Sequence, residues 1–230
     1  MGGSPPAGCG VQLAVRRRSR LADNMSSSGD NGRVDITSPW GFDARTDPGQ
    51  SYVELVGDLR RLQDLVACGQ PTESRARRAH HHLRQAAALL EEFREQPKGL
   101  NVRGDISGLD DPLIIPVDMV RWDEDSAEGT VQFSPFHHGG GGGVHGGAIA
   151  LLFDDFIGRL ANFRQVTRTA YMHVNYRTVC PIGRNLNIRG QVTGRERRKM
   201  FLSGALTYGD TLIADCEGLW VILPVEGSVR

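Results

Sequence analysis

Lysine is nearly absent from this chain. Only Lys98 and Lys199 occur among 230 residues, so arginine carries almost all of the positive charge. Lys and Arg together number 27, as do Asp and Glu, and the formal net charge is zero. A balanced chain has no general electrostatic pull toward nucleic acid or an anionic membrane surface. Cysteine is scarce as well. Cys9, Cys68, Cys180 and Cys216 lie far apart with no CxxC pair. That excludes zinc-ribbon spacing and a disulfide framework, and it fits the free thiols of a cytoplasmic protein. No apolar run reaches the roughly 20 residues that a membrane-spanning helix needs. Arg16-Arg17-Arg18-Ser19-Arg20 is not followed by the apolar region of an export signal.

Residues 1–48 are rich in Gly, Ser, Pro, Asp and Arg and show little periodicity, which predicts disorder. Met25, inside this stretch, is a second plausible start. Residues 49–96 predict two helices in a hairpin. The first carries Tyr52, Leu55, Val56, Leu59, Leu62 and Leu65 at helical spacing, with Ser51 and Glu54 as a capping box. Gly69 and Pro71 end it. The second, over 72–94, carries Ala76, Ala79, Leu83, Ala86, Ala87, Leu90 and Phe93. His80, His81 and His82 follow one another on it. Successive helical residues point about 100° apart, so these three cannot converge on one metal ion. The hairpin's expected role is to pack on the rest of the protein or on a neighbouring subunit. Residues 97–112 read as a linker.

Residues 113–230 read as one long helix among strands. Strands are expected over 114–122, 129–133, 169–178, 186–193, 200–208 and 211–223. Tyr171, His173, Asn175 and Arg177 alternate with Met172, Val174 and Tyr176, the mark of an antiparallel strand with one buried face. Tyr208-Gly209-Asp210-Thr211 is a hairpin turn. The order implies an α+β fold.

The helix, expected over 146–163, begins in Val144-His145-Gly146-Gly147 and is apolar through Phe156, Ile157, Leu160 and Ala161. Its apolar residues fall all round the axis, which predicts burial. Two acids stand in its middle. Asp155 has Arg159 at i+4, the favourable order for an ion pair. Asp154 has Gly158 there, which leaves it as the unpaired acid of a core helix. Gly146 and Gly147 sit where backbone N–H groups lack intrahelical acceptors. Such N–H groups can hold an anion, including the oxyanion of acyl transfer.

His-Gly-Gly, an apolar helix, and an Asp nine residues after the His together resemble the hotdog-fold acyl-CoA thioesterases of the PaaI and thioesterase-superfamily-member type. The resemblance covers about 117–223. It implies an antiparallel sheet wrapped around one central helix, with acyl-CoA as substrate and no metal or redox cofactor. It implies Asp154 as the catalytic carboxylate and Thr169 as the hydroxyl that orients water. Gly146 is implied as the oxyanion donor beside Gly147, with His145 ordering the loop. Arg197, Arg198 and Lys199, next to Arg195, match basic residues that contact coenzyme A phosphates. The loop His137-His138 followed by Gly139-Gly140-Gly141-Gly142-Gly143 departs from the pattern. Some relatives carry an Asn side chain there that helps hold the thioester carbonyl, and His137 and His138 are the side chains available to replace it. Five consecutive glycines predict a mobile flap.

Gly146 and Asp154 are eight residues apart, about 12 Å along one helix. One carbonyl cannot touch both, so a site that uses both draws them from two chains of a homodimer. A dimer of dimers stays open. So does the role of Asp154, as general base or as nucleophile. A hydratase and an acyl-CoA sensor without turnover are the rival readings.

Overall fold

The computed structural model describes residues 50–91, 109 and 111–224. The expected disordered segment 1–48, with its basic run and Met25, lies outside the described residues. So do most of the 97–112 linker and the end of the second helix beyond residue 91.

Two helices come first, α1 (Gln50–Cys68) and α2 (Glu73–Glu91), joined by a short turn through Gly69 and Pro71. Helix α1 is already under way at Gln50, so Ser51 does not cap it. Glu54 instead accepts a hydrogen bond from Gln50 Nε2 at 3.0 Å. The face of α1 that docks also differs from the expected one. Val56 is buried, while Leu55, Leu59 and Leu65 are exposed. The reason is an arginine. Arg60 shares the Val56 side and donates to the carbonyls of Leu109, Asp111 and Ile114. Three backbone acceptors for one guanidinium fix the rotation of the helix more strongly than leucines at its rim. Helix α2 buries none of its residues, and Leu83, Leu89 and Leu90 face solvent.

Six strands form a single antiparallel sheet in the order β1-β2-β4-β5-β6-β3. They are β1 (Val117–Trp122), β2 (Ser126–Gln132), β3 (Thr167–Tyr176), β4 (Asn185–Glu196), β5 (Lys199–Tyr208) and β6 (Thr211–Ile222). Strand β2 starts three residues earlier than the apolar run suggested, because Asp123 turns the chain back by accepting from Ser126 N–H. The β5–β6 turn falls where expected, with Gly209 at φ 56° and Tyr208 paired to Thr211.

Helix α3 (Gly146–Ala161) lies across this sheet and touches β2 through β6. The arrangement is the hotdog fold, with the helical hairpin as an N-terminal extension. Ile149, Leu152, Phe153, Phe156, Ile157, Leu160 and Ala161 are buried against the strands. Full burial of such side chains contributes about 1.5–3 kcal/mol each. The helix is not covered all round. Gly147 and Asp154 lie on its open side, with Leu151 and Gly158 half-buried beside them.

The close approach of α3 depends on two glycines that face each other in register, Gly190 on β4 and Gly204 on β5. A Cβ on Gly204 would lie 2.5 Å from Ile157 Cδ1, 3.0 Å from Cys216 Sγ and 3.2 Å from Phe153 Cδ1. One on Gly190 would touch Phe156, Leu160 and Ile157 at 3.3–3.6 Å. The helix therefore rests in a shallow groove of missing side chains.

Gly204→Ala should destabilise by about 1–3 kcal/mol through overpacking, as read by urea unfolding. Gly57→Ala, in α1 with nothing within 4 Å of the added Cβ, should instead stabilise by up to about 1 kcal/mol. Equal effects at the two positions would remove the groove from the account.

Candidate functional site

The site is built at the N-terminal end and on the open side of α3. His145 caps the helix. Its φ and ψ are extended, and its Nδ1 accepts from Gly147 N–H at 3.0 Å. The ring nitrogen thus takes one of the N–H groups that a helix start leaves free. His145 N–H donates to His137 O at 2.8 Å, tying the cap to the preceding loop. Gly146 N–H, the first of the helix, finds no acceptor among the described residues. Its carbonyl accepts from Tyr176 Oη at 3.0 Å. The Tyr176 ring covers Gly146 so closely that a Cβ would sit 3.3 Å from Cζ. Gly146 is therefore small for a steric reason, and its amide is a fixed, open donor at the positive end of a helix dipole.

Asp154 stands two turns further along. It is exposed, not buried, which corrects the expectation of an unpaired acid in the core. The wheel of apolar residues had suggested burial on every side, but α3 meets the sheet on one side only. Thr169 Oγ1 donates to Asp154 Oδ1 at 3.0 Å. Thr169 sits on β3 beside a bulge between Thr169 and Tyr171, and a bulge re-aims a strand side chain. Asp155 is the more enclosed acid. Arg159 Nε approaches it at 2.9 Å, as the i+4 spacing required. Burial pushes the Asp155 carboxyl above the usual carboxylate range; Arg159 opposes that shift, and the nearby Asp111 and Asp154 add to it.

The glycine loop is more constrained than a flap. A Cβ on Gly139 would strike the His145 backbone at 2.7 Å, and one on Gly143 would meet Val179 at 2.4 Å. Gly139 N–H donates to Gly143 O at 2.8 Å. Only Gly140, Gly141 and Gly142 stand in open space, the last two at φ 82° and 85°. His137 is occupied within the loop. Its Nδ1 meets Ser134 N–H and Oγ, and its ring lies edge-on to Phe133 and Phe136. His138 pairs with Val144 as a bridge.

Arg197 and Arg198 form the β4–β5 turn, Lys199 opens β5, and the three line a depression with Glu196. Arg197 has φ 52°. Arg198 Nε donates to Ile222 O at 2.9 Å, and Arg195 is held by Asp125 at 2.8 Å. This turn lies beside the end of β6, where Ile222 pairs with Thr167 at the start of β3. Tyr176, over Gly146, is the far end of the same strand. Within one chain, then, Gly146 and the cationic turn sit at opposite ends of β3, with Asp154 and Thr169 between them.

Tyr176 went unrecognised in the sequence as part of this site. Alternation assigned it to the inward face with Met172 and Val174, and a phenol closing that row was the available signal. Asn175 and Arg177, of the other face, hold Asp215. The helix-borne histidines 80–82 are exposed, and no group of His, Cys, Asp or Glu suited to a metal ion occurs among the described residues.

No family model matches the chain. Over 142 residues, 61% of its length, the chain is 30% identical to the acyl-coenzyme A thioesterase THEM4 of Bos taurus. The match spans 58% of that protein, so the chain corresponds to little more than half of this curated relative. A thioesterase superfamily protein of known crystal structure aligns with a TM-score of 0.66 at 24% identity, over 75% of this chain and 91% of that one. The two share their fold, and the alignment is longer than segment 113–230 alone. The E. coli PaaI protein from the phenylacetic acid degradation operon aligns with a TM-score of 0.44 at 17% identity, over 46% of this chain and 82% of its own.

The environment of Asp155 makes a prediction about pH. Its folded pKa is raised, so the folded state favours the protonated acid. The group therefore costs nothing below the unfolded pKa and detracts from stability once pH exceeds the folded value. Asp155→Asn should be at least as stable as the wild type near pH 7. That advantage should shrink as pH falls through the carboxylate range, in urea titrations at several pH values. An advantage that grows on acidification would reverse the assignment.

Proposed function

We propose that this chain is an acyl-CoA thioesterase whose active site is completed by a second copy of itself. The observation that carries the reading is the open Gly146 N–H at the head of α3 together with the exposed Asp154 of the same helix, held by Thr169 of β3. The likeness to the bovine thioesterase supports it. Hydrolysis of a thioester needs a base or nucleophile for the carbonyl carbon and a donor for the oxygen. Asp154 and Gly146 are those two groups.

In the general-base form, Thr169 holds Asp154 Oδ1 and leaves Oδ2 to take a proton from water. The water oxygen bonds to the carbonyl carbon, and the carbonyl oxygen becomes an oxyanion on Gly146 N–H of the other copy. The C–S bond then breaks, the free acid forms, and the coenzyme A thiolate leaves and is protonated. In the nucleophilic form, Asp154 attacks first and water hydrolyses the resulting anhydride. Either form uses only water besides the acyl-CoA, so neither calls on a metal or redox cofactor. His145 and Gly147 hold the helix start in place. Arg197, Arg198 and Lys199 face the coenzyme A phosphates.

The open edge of β3 favours a homodimer. Ten residues long, with Tyr171 and Tyr176 about half exposed, it offers unpaired backbone groups that a second β3 would satisfy. A hydratase would need a histidine beside its acid, and the hydrogen-bond partner of Asp154 is a threonine. An acyl-CoA sensor would bind the ligand without releasing thiol.

Asp154→Asn should lower kcat by about 10²–10⁴ with fold and association unchanged, measured as free thiol released from a panel of short, long and aromatic acyl-CoAs. Asp155→Asn should lose far less. Equal losses would reject Asp154 as the reacting acid, and absence of thiol from every wild-type reaction would favour the sensor.

A further inference from the structure

Helix α1 touches the described core through very few groups, and one of them bears on the oxyanion donor. Asp64 Oδ1 accepts a hydrogen bond from Phe136 N–H at 3.0 Å, across 72 residues of sequence. Phe136 is the second residue of a 3-10 turn, Pro135–His137. The N–H groups at the start of such a turn have no acceptor inside it. Asp64 therefore caps this turn from another element, with a charge that suits a helix start.

The turn leads directly to the site. Ser134 and His137 Nδ1 close it internally. His137 O then accepts His145 N–H at 2.8 Å. His145 Nδ1 accepts Gly147 N–H at 3.0 Å, and Gly146 lies between those two fixed bonds. Every link is a hydrogen bond, the first from helix α1 to the turn and the rest within the 134–147 segment. The Arg60 clamp on the carbonyls of residues 109, 111 and 114 and the buried Val56 keep α1 in register with this turn.

We infer that Asp64 is a positioning residue for the Gly146 N–H. Helix α1 is in this view a working part of the site, through Asp64–Phe136, His137–His145 and His145–Gly147. The inference deepens the thioesterase reading and rests on it for its kinetic consequence only. Its structural consequence stands alone.

The test uses the full chain with Asp64→Ala, which removes the acceptor, and Asp64→Asn, which keeps an oxygen in the same place. Backbone amide exchange at residues 145, 147 and 148, whose N–H groups are hydrogen-bonded, is measured first, since it needs no activity. Asp64→Ala should speed exchange there by about tenfold or more, with β4–β6 protection unchanged, and Asp64→Asn should restore most of it. On acyl-CoA, Asp64→Ala should lower kcat about tenfold with KM within about twofold, because an oxyanion contact acts in the transition state. Asp64→Asn should recover most of kcat. Wild-type exchange at 145, 147 and 148 in Asp64→Ala overturns the inference. So does a uniform rise in exchange over the sheet, which marks a merely structural role. Changed exchange with no thiol release from any variant, wild type included, upholds the coupling and defeats the thioesterase reading instead. Should Asp64→Ala not fold, Asp64→Ser, which cannot span the gap, takes its place with the same expected and overturning results.

Discussion

A helix fixes the distance between its own residues, and α3 is seated along the sheet by its buried side. Its buried side sits in the groove left by Gly190 and Gly204, pressed there by Phe153, Phe156, Ile157 and Leu160. Gly146 and Asp154 cannot then approach each other, because eight residues of helix separate them by about 12 Å. In the proposed site, the pairing of this donor with this acid therefore comes from another chain. The rest of the architecture is consistent with a second copy supplying it. Asp154 is exposed on the open side of α3, and the long edge of β3 is unpaired in the single chain. The cationic turn lies at the opposite end of β3 from Gly146. In the proposed dimer, each copy supplies what the other lacks.

The donor end is organised by small residues and backbone bonds, with little help from charge. Tyr176 presses on Gly146 and donates to its carbonyl, while His145 O accepts Ala148 N–H at 2.9 Å and so holds the peptide unit that carries the Gly146 N–H. His145 withdraws Gly147 N–H from competition. The acid end relies on one hydroxyl from a bulged strand. Asp155, one residue along, shows what the same carboxyl does when turned inward. It takes Arg159 as a partner and settles at a raised pKa from burial.

Much of this was legible in the sequence, for local reasons. Helix α3 starts at the expected glycine because His-Gly-Gly is itself the cap, and Asp155–Arg159 follows from i+4 geometry. The Gly209 turn depends on neighbours in the chain; the alternation expected for β3 holds at Met172 and Val174 but not at Tyr176, which is exposed. What was missed depends on which side of an element meets which other element. Periodicity shows that α3 is apolar, but not that one side stays open, so Asp154 was expected in the core. The docked side of α1 was set by Arg60 finding three carbonyls some fifty residues away. The His137-to-Gly143 loop was expected to move because it is glycine. In the fold, Gly139 and Gly143 are glycine because nothing larger fits.

The claim that most needs testing is that one working site is drawn from two chains. The direct measurement is thiol release by purified mixed dimers of two inactive variants, Asp154→Asn and Gly146→Pro. Proline removes the proposed donor N–H and suits the first turn of a helix; its Cβ meets the Tyr176 ring, so the fold and association of the Gly146→Pro parent are checked before mixing. If Gly146 and Asp154 act on one carbonyl from different chains, a mixed dimer holds one site with both defects and one with neither. Activity should then return to about half that of the wild-type dimer, by the symmetry of a two-fold pair. Mixed dimers that are folded and associated, with subunit exchange verified, yet release no more thiol than either parent would contradict the account.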